Sequence, residues 1–171
     1  GVRGDMYGGQ DQAVIGGDPD QTLRPVAGTL APIPWLASPT AQVLTGFADK
    51  DGSFCWTDPR APLLRVLEHF AADGLAPVVA TELEFYLLAD GDGARPQPLM
   101  GRVPGTGLRQ GGIQYCMPDD LLDCDAFLED VRLACELHSV PLTAIHSEFS
   151  PGQWEINTHH QQDALLAGDH A

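Results

Sequence analysis

The chain has 171 residues, 43% hydrophobic and 19% charged, the composition of a globular protein and not of a disordered one. Nine basic residues stand against 24 acidic ones, for a formal charge of −15; the single lysine, Lys50, and eight scattered arginines argue against nucleic acid as a partner. No apolar run reaches the roughly 18 residues needed to span a bilayer, and Gly1 to Gln10 is glycine-rich and polar, so neither a membrane segment nor a signal peptide is expected.

The first forty residues are rich in Gly and Pro, and Asp18-Pro19-Asp20 and Pro32-Ile33-Pro34-Trp35 punctuate short extended pieces. Ala41 to Ala48 reads as a strand closed by the turn Asp49-Lys50-Asp51-Gly52. Asp58 then has the place of a helix N-cap, with Pro59 as the first helical residue. Leu63, Leu64, Val66, Leu67, Phe70 and Ala71 form one apolar face, and Gly74 is placed to end the helix. Pro77 to Leu88 reads as the strongest strand, closed by Asp90-Gly91-Asp92-Gly93. Gly101 to Gly112 is expected as a surface loop. A second helix is expected over 124–138, capped by Asp123, with Phe127, Leu128, Val131, Ala134 and Cys135 at helical spacing. Pro141 to Phe149 and Trp154 to Thr158 read as strands joined by the turn Ser150-Pro151-Gly152-Gln153. A last helix begins at Asp163, and its length suggests a piece of a longer protein. Cys55, Cys116, Cys124 and Cys135 form no CxxC pair, so thiols in a reducing cytoplasm are expected, and a cytoplasmic location with them.

Four of the seven glutamates fall in two tight pairs, Glu82 with Glu84 and Glu148 with Glu155. Strand side chains alternate faces, so Glu82 and Glu84 share one side, and Leu83, Phe85 and Leu87 share the other. A charged strand face is ordinary on an antiparallel sheet with one wet side. The second pair shifts the balance. His146 and Glu148 share a strand face, as do Glu155 and Asn157, and the Pro151-Gly152 turn brings Glu148 and Glu155 across a hairpin from one another. Four carboxylates from three strands, flanked by His146, Gln153 and Asn157, are expected on one sheet face. Such an oxygen-rich set suits hard divalent ions better than zinc.

The segment Thr81-Glu82-Leu83-Glu84-Phe85-Tyr86-Leu87 resembles the ExEF strand of the glutamine synthetase superfamily. The twelve residues His146 to Asn157 resemble that family's second glutamate signature, built around Pro151-Gly152-Gln153. Upstream, Asp18-Pro19-Asp20 through Pro34-Trp35 is similar to the segment leaving the family's small β-grasp domain. The form Glu155-Ile156-Asn157-Thr158-His159 leans toward the γ-glutamyl-amine or γ-glutamylpolyamine ligase branch.

The resemblance implies an α+β protein, with residues 1–36 as the end of a β-grasp domain and 37–171 as the first part of an antiparallel-sheet catalytic domain. It implies an ATP-dependent ligase that joins ammonia or an amine to the γ-carboxylate of glutamate through γ-glutamyl phosphate. Glu84, Glu148 and Glu155 match ligands of the Mg²⁺ or Mn²⁺ ion beside glutamate and ammonium. Glu82 matches a ligand of the ion that bridges the ATP phosphates, and His146 falls where the family contacts the nucleotide. The family's remaining catalytic residues are expected beyond Ala171, and Asp5 near an acidic residue that reaches the amine across a subunit boundary. The complete protein is expected to be a homo-oligomer with active sites shared between subunits. A catalytically silent relative with a structural or regulatory role, and a two-metal hydrolase, stay open as alternatives. The pair His159-His160 is expected to be solvated or inter-subunit, and Trp35, Trp56, Phe149 and Trp154 are expected to pack. The stretch Asp119 to Asp125 is expected to be a solvated helix start.

Overall fold

A computed structural model describes residues 22–53, 55–90 and 95–171. The expectations on Asp5, on Asp18-Pro19-Asp20 and on the glycines of the 90–93 turn fall outside the described residues. Among the described residues the chain forms four small antiparallel sheets, with interleaved strands, and four helices. Strand β1 (Thr22–Pro25) pairs with β4 (Thr45–Ala48), and β2 (Ala31–Pro32) pairs with β3 (Ala41–Gln42). The single strand expected over 41–48 is therefore two, broken where the chain changes partner. Residues on either side of position 36 are joined by both ladders.

Helix α1 (Arg60–Ala72) begins one residue later than expected, with Pro59 in the N-cap place. Asp58, 1% exposed, still closes the helix start. Its Oδ1 accepts from the Arg60 amide at 2.8 Å, and its Oδ2 accepts from the Phe47 amide of β4 at 2.6 Å. One buried carboxylate thus satisfies an orphan helix donor and ties the helix to a strand. Gly74 ends the helix as expected, at φ +68°, while the Leu75 amide donates to the Phe70 carbonyl.

The sheet that matters for function has three strands: β5 (Glu82–Tyr86), β8 (Leu142–Ser147) and, between them, β9 (Gln153–Thr158), all antiparallel. The long strand expected over 77–88 is interrupted at Leu87. Its amide bonds the Gly152 carbonyl at 2.8 Å, and β6 (Leu88–Ala89) turns away to pair with β7 (Gln97–Pro98). Leu83 faces Ile156 and Phe85 faces Trp154, which makes one side of the sheet apolar. Trp154 is 1% exposed and is the largest fully buried side chain.

Helix α2 (Pro118–Asp123) and helix α3 (Asp125–Leu137) pack against β8, and Phe127 meets Phe85 with ring centroids 6.1 Å apart. The expected cap Asp123 is the last residue of α2, and its carboxylate accepts from the Arg102 amide of the 101–112 loop at 2.9 Å. Asp120, expected in solvent, is 3% exposed. Helix α4 (Ala164–His170) is capped by Asp163, whose Oδ1 accepts from the amides of Leu165 and Leu166. An Arg60–Asp169 ion pair joins α4 to α1. Three aromatic residues expected to pack stand in the open instead: Trp35 is 59% exposed, Trp56 55% and Phe149 59%. Trp35 stacks on His138 with ring centroids 5.6 Å apart.

Candidate metal centre

Register decides what the sheet presents. Glu84 stands opposite Glu155, and Glu155 opposite His146, so the three form one row across all three strands. Glu82 is opposite Asn157 in the next row, and Tyr86 opposite Gln153 in the row before. Alternation then puts Glu82, Glu84, Glu155, His146 and the flanking amides on the side away from Trp154.

The β8–β9 turn fixes this register. The Glu148 amide donates to the Gln153 carbonyl at 2.8 Å, and the Gln153 amide donates to the Ser150 carbonyl at 3.0 Å. Gly152 holds φ +76°, and a Cβ there would come within 2.9 Å of the Leu87 carbonyl oxygen. Both the backbone conformation and the close approach demand glycine. A bulge between Leu142 and Ala144 lies beyond the site and leaves its register untouched.

His146, Glu148 and Glu155 each bring a ligand atom into one cluster, all within 4.8 Å of one another. His146 Nδ1 is 3.4 Å from Glu148 Oε1, and His146 Nε2 is 3.6 Å from Glu155 Oε1. The Asn157 side-chain Nδ2 donates to Glu155 Oε1 at 2.7 Å, and the Gln153 side-chain Nε2 donates to Glu84 Oε2 at 2.7 Å. The amides orient the carboxylates. Among the described residues no arginine or lysine pairs with these glutamates.

The environments of two neighbouring carboxyls diverge. Burial pushes Glu148 up from the ordinary carboxylate range, whereas the hydrogen bond from Asn157 holds Glu155 below it. Glu148 is thus the member that more readily holds a proton, and Glu155 the one that stays ionised. Tyr115 leans over the cluster, its ring edge-on to His146 at 6.2 Å. Its phenol is raised first by Cys116 and then by the negative charge of Glu148.

The donor set fits a hard divalent cation. Carboxylate oxygens at about 2.1 Å from Mg²⁺, on opposite sides of the ion, lie about 4.2 Å apart, which the spacing of the cluster accommodates. His146 adds one imidazole nitrogen to the carboxylate oxygens. Glu84 stands in the same row, opposite Glu155, outside the three-residue cluster. Glu82 lies outside the three-residue cluster and lines an open depression with Thr81, Thr143, Asn157 and His160. His146, expected at the nucleotide, is brought against Glu148 and Glu155. His159 and His160 are both exposed. Tyr115 and the buried Gln114 beneath it carry no motif of their own. Gly111-Gly112 and Pro118 bracket their loop, but nothing in the sequence aims it at the sheet.

Residues 56–171 match the family model described as the glutamine synthetase catalytic domain. The chain is 37% identical over 158 residues to γ-glutamylputrescine synthetase PuuA of Escherichia coli K12, covering 91% of this chain and 33% of that protein. It is 32% identical over 155 residues to a glutamate–isopropylamine ligase from a Pseudomonas species, with the same coverage on each side. A glutamine synthetase of Thermotoga maritima is 29% identical over 140 residues, covering 81% of this chain and 30% of that one. Among solved structures, a GmaS/ADP complex superposes with a TM-score of 0.69 at 21% identity, over 90% of this chain and 33% of that one. A structure described as a novel glutamine synthase homolog gives 0.63 at 17% identity, over 91% and 34%. The chain therefore spans about a third of the length of these relatives.

Proposed function

Because this chain belongs to the glutamine synthetase family, we propose that it supplies the metal-holding sheet face of an ATP-dependent ligase that joins ammonia or an amine to the γ-carboxylate of glutamate. The observation that carries the reading is the row Glu84–Glu155–His146 on one face of one sheet, with Glu148 brought against His146 from just past the end of β8. In this proposal Glu84, Glu148 and Glu155 hold one divalent ion, with His146 beside them, and Glu82 reaches a second ion toward the nucleotide. A contact of His146 with the nucleotide belongs to the same proposal. A bound Mg²⁺ or Mn²⁺ supplies charge neutralisation for phosphoryl transfer and a fixed place for the reacting carboxylate.

The chain's own part is scaffolding and orientation. Strand backbones hold the carboxylates at fixed separation, and Gln153 and Asn157 fix their rotation. The acceptor we propose is an amine larger than ammonia. Two relatives whose names specify an amine ligase support this, as does the Glu155-Ile156-Asn157-Thr158-His159 segment. We also propose a cytoplasmic homo-oligomer, with residues 1–36 as the end of a β-grasp domain and 37–171 as the start of the catalytic one. Large apolar side chains open to solvent, Leu30 at 73%, Leu108 at 66% and Leu122 at 74%, support further chain or neighbouring subunits covering these surfaces.

The test is ATP- and glutamate-dependent phosphate release by the full-length protein at saturating Mg²⁺ or Mn²⁺, with ammonia, putrescine and isopropylamine in parallel. Release stimulated most by one of the two larger amines is expected. No stimulation by any of the three would overturn the ligase reading.

A further inference from the structure

We infer that Gln114 is a positioning residue for the acidic face: it locks the 114–117 loop to the β8–β9 turn and so sets where Glu148 and Glu84 present their carboxylates. The inference rests on the metal-holding role proposed above. Gln114 is 3% exposed, and each of its four polar groups has a partner in the segment 147–153, its backbone carbonyl accepting from the Met117 amide at 3.0 Å as well. Its Oε1 accepts from the Gly152 amide at 3.1 Å, and its Nε2 donates to the Gln153 carbonyl at 2.7 Å. Its backbone carbonyl accepts from the Ser147 hydroxyl at 2.8 Å, and its amide donates to the Phe149 carbonyl at 3.3 Å. Ser147, wholly buried, completes the lock. Its hydroxyl oxygen accepts from the Met117 amide at 3.1 Å, and its carbonyl accepts from the Cys116 amide at 2.9 Å. Cys116 takes φ +52°, a left-handed conformation rare for a side-chain-bearing residue, within this short connection.

Two routes run from Gln114 to the carboxylates. The first brackets Glu148: its neighbours on both sides, Ser147 and Phe149, are bonded to the Gln114 backbone. The second passes through Gln153, whose carbonyl accepts from both Gln114 Nε2 and the Glu148 amide. The Gln153 side chain in turn accepts from the Ser150 amide at 3.1 Å and donates to Glu84 Oε2 at 2.7 Å. An amide in an ordinary core needs only satisfied partners; this one has partners confined to the turn that separates two carboxylates of one site. Groups that orient metal ligands from behind affect metal affinity by roughly 10- to 100-fold when removed.

The experiment measures Mn²⁺ affinity of the full-length protein without nucleotide, by electron paramagnetic resonance of free Mn²⁺, alongside thermal melts in chelator. Gln114→Met keeps the length and removes both side-chain hydrogen bonds. Gln114→Glu keeps the acceptor for Gly152 and loses the donor to Gln153. The Mn²⁺ dissociation constant should rise about tenfold or more in Gln114→Met and by less in Gln114→Glu. Saturating Mn²⁺ should recover much of kcat in both. If Gln114→Met does not fold, a rise of several-fold in Gln114→Glu supports the inference by itself. Affinity within about twofold of wild type in the folded variants overturns the inference, even if melting temperatures fall. A wild-type protein that binds Mn²⁺, loses it in Glu155→Gln and keeps it in Gln114→Met overturns this inference alone. A wild-type protein that takes up no Mn²⁺ overturns the metal reading and this inference with it.

Discussion

Two acidic clusters lie close together in this molecule and behave differently. Glu84, Glu155 and His146 stand on three paired strands, the pleat aims them at one side of the sheet, and Glu148, just past the end of β8, closes on the same cluster. Asp119, Asp120, Asp123 and Asp125 follow one another along α2 and into α3, where helical geometry spreads them around an axis. Asp123 serves a backbone amide, Asp119 and Asp125 sit in first helical turns, and Asp120 is buried. Acidic density in a sequence therefore says little about function. Parity on a strand concentrates charge, and only the sheet cluster adds a histidine and two orienting amides. Trp154 stands between the clusters. It underlies the glutamates and lines a cavity of about 180 Å³ with Asp120, Gln114, Gly101 and Arg109.

Removing that shared support is expected to have the largest effect. Trp154→Ala should cost about 3–5 kcal/mol of stability, measured by urea unfolding, because it deletes the largest buried side chain under the site. A loss under 1 kcal/mol would mean the two clusters do not share a scaffold.

The next effect separates the clusters by activity. Glu84→Gln and Glu155→Gln should each reduce ligase turnover of the full-length protein about 10²-fold or more, about 2.7 kcal/mol of transition-state stabilisation. Each removes one charge from a hard-cation shell while keeping size and hydrogen bonding. Apo melting temperature should hold or rise, since one member of a repelling set is gone. Near-normal turnover would remove these glutamates from the mechanism, and a large fall in apo melting temperature would make them structural.

The smallest effect concerns the helix cluster. Burial, then the charges of Asp123 and Asp119, raises the Asp120 carboxyl above its ordinary value, and among the described residues its Oδ2 has no hydrogen-bond partner. A group whose folded pKa is raised binds its proton more tightly in the folded state, so its ionisation destabilises as pH climbs past the unfolded value near 3.9. Asp120→Asn should therefore leave turnover unchanged and gain stability relative to wild type between about pH 4 and pH 7, followed by urea midpoints across that range. A variant that loses turnover would show that Asp120 belongs to the site after all.

The part of the structure readable from sequence was the part governed by local rules. Strand parity and the Pro151-Gly152 turn were enough to put Glu82, Glu84, Glu155 and His146 on one face, because a two-residue period leaves no other choice once the register is set; the strand expected to run to Phe149 stops at Ser147, and Glu148 joins the cluster from just beyond it. Gly74 and Asp163 ended and began helices as their chemistry requires. What escaped was decided by partners distant in sequence. The 77–88 run looks uniform, yet Leu87 breaks it by bonding Gly152, 65 positions away. Asp123 has cap chemistry, but Arg102 claims its carboxylate. The two ring nitrogens of His146 meet Glu148 and Glu155 only because the hairpin closes at that register. Gln114 has no pattern at all, since a buried amide is recognised only by the groups around it.

The central claim is that the sheet cluster, and not the helix cluster, holds a divalent ion. Crystals of the full-length protein soaked in Mn²⁺ and measured for anomalous scattering test it most directly. A peak is expected among His146, Glu148 and Glu155, with carboxylate oxygens at roughly 2.0–2.3 Å, that disappears in Glu155→Gln. No peak there, or a peak only among the aspartates of residues 119–125, would contradict it.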